Sequence, residues 1–107
     1  MASFYKNAKV DLTSTDVTTL YTAPAATTAV FRSLVVADDS GSTSTITVTV
    51  TDSASAVFVL YNVKATVANG TVELLTQPLV IQESEVLKVT AANANRLHVI
   101  GSYLEIT

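Results

Sequence analysis

Cysteine and tryptophan are absent, and methionine and histidine occur once each in 107 residues. Without cysteine there is no disulfide framework and no thiolate metal site, which fits assembly in a reducing compartment. Three glycines are too few for a long phosphate-cradling loop, and neither Gly-x-Ser-x-Gly nor His-Glu-x-x-His occurs. Catalysis and a bound cofactor are therefore not expected. Charge is scarce too, at 14% of residues against about 25% in an average globular domain. The six basic residues, Lys6, Lys9, Arg32, Lys64, Lys88 and Arg96, are scattered and outnumbered by nine acidic ones, for a net charge of −3. Nucleic acid is not an expected partner, because phosphate contacts need clustered Lys and Arg. The longest apolar run, Ala56 to Tyr61, is far short of the about 18 residues a membrane helix needs. Met1 to Asn7 holds no apolar stretch of signal-peptide length. Neither a membrane span nor secretion by that route is expected.

What the chain does contain favours strands. Val, Ile and Thr make up roughly a third of it, and β-branched side chains suit a pleated, half-buried surface. The length suits one small domain over residues 1–107, burying roughly 65% of its unfolded surface. Turn signals recur about every 8 to 12 residues, the rhythm of an antiparallel β-sandwich, here of about eight strands. Strands are expected over Ser3–Leu12, Val17–Tyr21, Ala29–Ala37, Thr45–Thr51, Ala56–Val63, Leu79–Gln82, Glu85–Ala91 and Arg96–Ile106. Ala23-Pro24 marks a break, and Asp38-Asp39-Ser40-Gly41-Ser42 has the chemistry of a tight, solvated hairpin loop. Thr45 to Thr51 alternates without a fault, so Ile46, Val48 and Val50 share one face and four threonines the other. Ala56–Val63 is apolar on both faces and reads as a central strand or one covered on both sides. Asn69-Gly70, between Lys64–Ala68 and Thr71–Leu75, predicts a type I′ hairpin, and Gly101 a bulge or twist point in the last strand.

Few residues offer chemistry. His98 has no second histidine, cysteine or converging carboxylates named by the sequence, and reads as a surface or interface side chain. Asp38-Asp39 lacks the ligand spacing of a calcium loop, and Glu83 and Glu85 read as solubilising charges at a strand end. Asn69-Gly70-Thr71 matches the glycosylation triplet, but with no signal-peptide stretch at the start it reads as the hairpin turn and not as a glycan acceptor. The threonine row belongs to a single strand, so it reads as a polar sheet face and not as an ice-binding array. Tyr5, Tyr21, Tyr61 and Tyr103 are the aromatics with a polar tip, and without tryptophan they leave carbohydrate or host-receptor binding as the second functional class.

The runs Arg32-Ser33-Leu34-Val35-Val36-Ala37, Ile46 to Val50 and Asn69 to Leu75, with Pro78 to Ile81, Val86 to Val89 and Ser102 to Ile106, resemble small virion proteins of tailed phages. The likeness spans residues 20–107, and Glu83-Ser84 departs from it where a glycine-containing turn would be expected. It implies a β-sandwich of jelly-roll type serving as a head decoration (cement) protein, or else in the neck or tail. Such a protein is a trimer or ring, contacts the major capsid protein or other virion proteins, and resides in the virion after assembly in the host cytoplasm. It carries no catalytic residues. Low charge suits a surface that becomes covered, since charged residues are depleted at interface cores. The expected contacts lie in the segment from Ala2 to Leu12, with Phe4 and Tyr5, and on the face of Thr45, Thr47, Thr49 and Thr51.

Overall fold

The alternation of apolar and polar residues is realised as nine strands in two packed antiparallel sheets, in a computed structural model that describes residues 2–107. They are β1 (Ser3–Leu12), β2 (Thr18–Thr22), β3 (Thr28–Asp38), β4 (Thr45–Thr51), β5 (Val57–Ala65), β6 (Thr71–Glu73), β7 (Leu79–Ile81), β8 (Val86–Ala91) and β9 (Leu97–Ile106). The first sheet has the order β1-β9-β3-β6, with β7 also paired to β3; the second has the order β2-β8-β4-β5. The described residues form no helix, so none is long and apolar enough to cross a membrane.

Side-chain alternation fixes the core. From the first sheet come Leu12, Phe31, Leu34, Val36, Ile81, Leu97, Val99 and Tyr103; from the second come Tyr21, Ile46, Val48, Leu87, Val89 and Ala91, all in one buried cluster. Each of these lies on the inward face of its strand, and its neighbours point outward.

Pairing is nested. β1 pairs with β9, β2 with β8, β3 with β7 and β6 along its two halves, and β4 with β5. Among the described residues, only β4 and β5 are both consecutive in the chain and hydrogen-bonded to each other. Their turn is tied by Asp52, whose Oδ1 accepts from the amides of Ala54 and Ala56 at 2.9 Å each.

This arrangement corrects several expectations. Asn69-Gly70 does not join a hairpin, because β5 lies in the second sheet and β6 in the first. The tight turn is there, closed by Gly70 N donating to Val67 O at 2.9 Å, but its positive φ falls on Asn69 (53°) and it carries the chain between sheets. Asp38 to Ser42 likewise crosses between sheets, and Asp38 is buried, not solvated. Its Oδ1 accepts from Ser40 N and Oγ, and its Oδ2 from Thr66 Oγ1 at 3.1 Å. At Glu83-Ser84 the structure makes the glycine-type turn without glycine: Ser84 takes φ 67°, and Glu85 Oε1 accepts from Gln82 N at 2.8 Å.

Gly101 is not a bulge. It pairs in continuous register with Ala8 and Leu34, and the extra residue sits in the partner strand, at Arg32. A side chain at 101 is excluded by packing, because a Cβ there would lie 2.6 Å from the buried Phe31 ring.

The largest correction concerns β5. Its apolar run is not central: β5 is an edge strand paired only to β4, and Val57, Phe58, Val59 and Val63 are more than half exposed. Periodicity could not distinguish a strand covered on both faces from one exposed on both, since the two have the same pattern. Two register shifts against β4 interrupt its ladder, and Val63 adopts φ 52°, an outlying conformation for a β-branched residue.

Candidate functional site

The six residues expected to mediate assembly fall on three separate surfaces. Phe4 and Tyr5 occupy the edge strand β1, and as consecutive residues they point to opposite faces of the first sheet. Phe4 lies on the inward side with Lys6 Nζ 5.8 Å from its ring centroid; Tyr5 stands on the outer face and is 81% exposed. Thr45, Thr47, Thr49 and Thr51 lie on the outer face of the second sheet, all half-buried. Their strand is interior, between β8 and β5, so it offers no free edge for pairing. Thr47 Oγ1 accepts from Val63 N at 3.1 Å, and Thr51 Oγ1 is buried with no hydrogen-bond partner among the described residues. The register extends the threonine face: Thr47 lies beside Thr90, and Thr49 beside Lys88, which in turn lies beside Thr19.

Sequence reading missed the most strongly coupled polar group. Glu105 is buried between the sheets, where Oε1 accepts from Lys6 Nζ at 2.7 Å and Oε2 from the Tyr21 hydroxyl at 2.6 Å. Tyr21 packs edge-on to Phe31 at 5.3 Å, and Phe31 stacks on Tyr103 at 4.7 Å. The bond from Lys6, then that from Tyr21, hold the Glu105 carboxyl below its ordinary range. Burial and the Glu105 contact push the Tyr21 phenol well up, and burial raises Tyr103. For Asp38, burial alone would raise the carboxyl, but bonds from Ser40 and Thr66 and the nearby Arg96 charge outweigh it and lower it. These groups lie 84 positions apart in the case of Tyr21 and Glu105, so no local signal announces them.

These shifts set a pH profile. Glu105 and Asp38 hold their protons less tightly folded than unfolded, so their stabilisation is complete above the unfolded carboxyl value of about 4 and is lost as pH falls through the folded values. Tyr21 and Tyr103 are raised, so their contribution is complete below about pH 10 and declines as the unfolded chain's phenols ionise. Urea midpoints are expected to be flat between about pH 5 and 9 and to fall on both sides. A midpoint at pH 3 equal to that at pH 7 contradicts the carboxylate part.

The remaining candidates take structural positions. His98 is half-buried at the surface, with Nε2 3.2 Å from Asp11 Oδ1 and Nδ1 3.9 Å from Asp39 Oδ2. Opposite ring nitrogens face the two carboxylates, so the three do not converge on one point, and no cluster of metal-binding geometry occurs among the described residues. Glu85 is half-buried and closes its turn, while Glu83 is exposed.

Two surfaces stand out as able to bind something. One is the apolar edge of β5, where Phe58, Leu60, Leu79 and Val80 help line a groove of about 270 Å³ against β7. The other is an open groove of about 440 Å³ on the first sheet, lined by Tyr5, Lys6, Asn7, Arg32, Ser102 and Tyr103. In comparisons with family models and with curated proteins, nothing matches this chain.

Proposed function

We propose that this protein is a non-enzymatic structural component of a tailed-phage virion, a head decoration (cement) protein that self-associates and grips the major capsid protein. One observation carries the reading: β5 displays Val57, Phe58, Val59 and Val63 to solvent along a sheet edge. Contiguous exposed apolar side chains mark an interaction surface, and an unprotected apolar edge is an aggregation hazard unless a partner covers it. With one charge in β5, Lys64, the strand desolvates cheaply.

The architecture supports the same reading. With β6 and β7 taken as halves of one strand, the nested pairs support a reading as eight strands of jelly-roll type, an arrangement used by viral capsid and lectin domains. In this reading β5 and its groove with β7 rank ahead of Phe4, Tyr5 and the threonine row as assembly contacts.

Electron microscopy of the particle containing this chain tests the assignment. Density at icosahedral positions on the head is the expected result. An axial ring would move the protein to the neck or tail, and absence from the purified particle would overturn the virion reading altogether.

A further inference from the structure

We propose that the outer face of the first sheet carries a binding site for an acidic saccharide, formed by Tyr5, Asn7, Arg32 and Ser102. The site is independent of β5 and of where the protein resides.

The register places these residues together. On the outward face, Tyr5 lies opposite Leu104, and Asn7 opposite Ser102, which is flanked on its other side by Ser33. A polar row, Asn7, Ser102 and Ser33, therefore crosses three strands, with the Tyr5 ring at its margin. Arg32 is the extra residue of the β3 bulge, and bulges re-aim side chains where a regular ladder would not. The bulge is pinned from the neighbouring strand: Glu73 Oε2 accepts from Leu34 N at 2.7 Å, and Glu73 Oε1 accepts from the Ser33 hydroxyl. Among the described residues the Arg32 guanidinium has no carboxylate or carbonyl partner, whereas Lys6, the other cation at this groove, is committed to Glu105.

These groups select a ligand class. A solvent-exposed tyrosine ring presents a flat apolar face that suits the C–H face of a pyranose. The planar guanidinium fork matches a carboxylate through two parallel hydrogen bonds, which a neutral sugar cannot satisfy. The Asn7 amide supplies both donor and acceptor, and the Ser102 hydroxyl a further one of each, the pairing that sugar hydroxyls require. A uronic-acid chain offers all three features together.

The test is a titration of the full chain with tetra-galacturonate, and with the same tetrasaccharide after reduction of its carboxyls, followed by backbone amide shifts. Saturable shifts at Tyr5, Asn7 and Ser102 are expected with the acidic form, with binding at least about tenfold weaker for the reduced one. Tyr5→Ala and Arg32→Lys, both at exposed positions, should each weaken binding by about tenfold while leaving the rest of the spectrum unchanged. No shifts at millimolar saccharide, equal binding of the reduced form, or equal shifts from sodium acetate alone would each overturn the assignment.

Discussion

A chain carrying Phe58→Glu and Val59→Lys is expected to stay folded, to become monomeric and to lose its place on the particle. Phe58 and Val59 are 60% and 58% exposed, so the fold loses little when they change. Being adjacent on a strand they point to opposite sides, and the pair of substitutions puts a charge on both faces of the edge. Fully covering a large apolar side chain contributes about 1.5–3 kcal/mol, and about 60% of each of these two is open to a partner, so losing both contacts costs each subunit about 2–4 kcal/mol of association. That corresponds to a dissociation constant about 30- to 10³-fold higher. Sedimentation velocity measures it, with thermal melting as the control for folding. A wild-type chain that sediments as a monomer at high concentration, with no loss of solubility, contradicts the assembly reading at its base.

Gly101→Val is expected to be the most damaging single substitution in the fold, and Gly101→Ala already severe. A Cβ at position 101 would stand 2.6 Å and 3.0 Å from two carbons of the Phe31 ring. That ring is fully buried, stacked on Tyr103 and met edge-on by Tyr21, so it has nowhere to retreat. Overpacking a core costs about 1–3 kcal/mol and sometimes more, a large part of the about 5–15 kcal/mol that holds a domain of this size together. At about 4–8 °C per kcal/mol, Gly101→Ala should lower the melting temperature by about 10 °C. The cause can be isolated with Phe31→Leu, which is destabilising alone but should recover part of the Gly101→Ala loss when the two are combined. Additive losses would place the fault elsewhere.

Element existence was legible in the sequence; element pairing was not. The strand from Ser3 to Leu12 and that from Thr45 to Thr51 have their expected limits, because alternation over seven or more residues admits little else. The neighbours of each strand depend on which sheet it joins, and no local pattern states that. Asn69-Gly70 has hairpin chemistry, but the chain there passes between sheets, and the local turn serves either purpose. The same blindness covers the candidate sites. Tyr5 is legible as a contact residue of the N-terminal segment, whereas Arg32 acquires its position from a bulge that exists only where β3 meets β9. The Glu105 cluster needs β1, β2 and β9 brought together, and composition gives no hint of it.

The nested pairing also dictates an order of events. The β4–β5 hairpin closes within a few residues, while β1 meets β9 only at the far end of the chain, where Ala2 and Thr107 exchange backbone hydrogen bonds at 3.2 and 2.9 Å. β9 is interior, between β1 and β3, so the first sheet stays split until Leu97–Ile106 arrives. Pairings this distant in sequence fold slowly, on the order of milliseconds to seconds for sandwiches. During that interval the earliest local structure available is the hairpin whose outer strand is the apolar β5. A nascent chain thus displays its stickiest edge before it has a core, and its yield in the cell depends on how quickly its last strand follows.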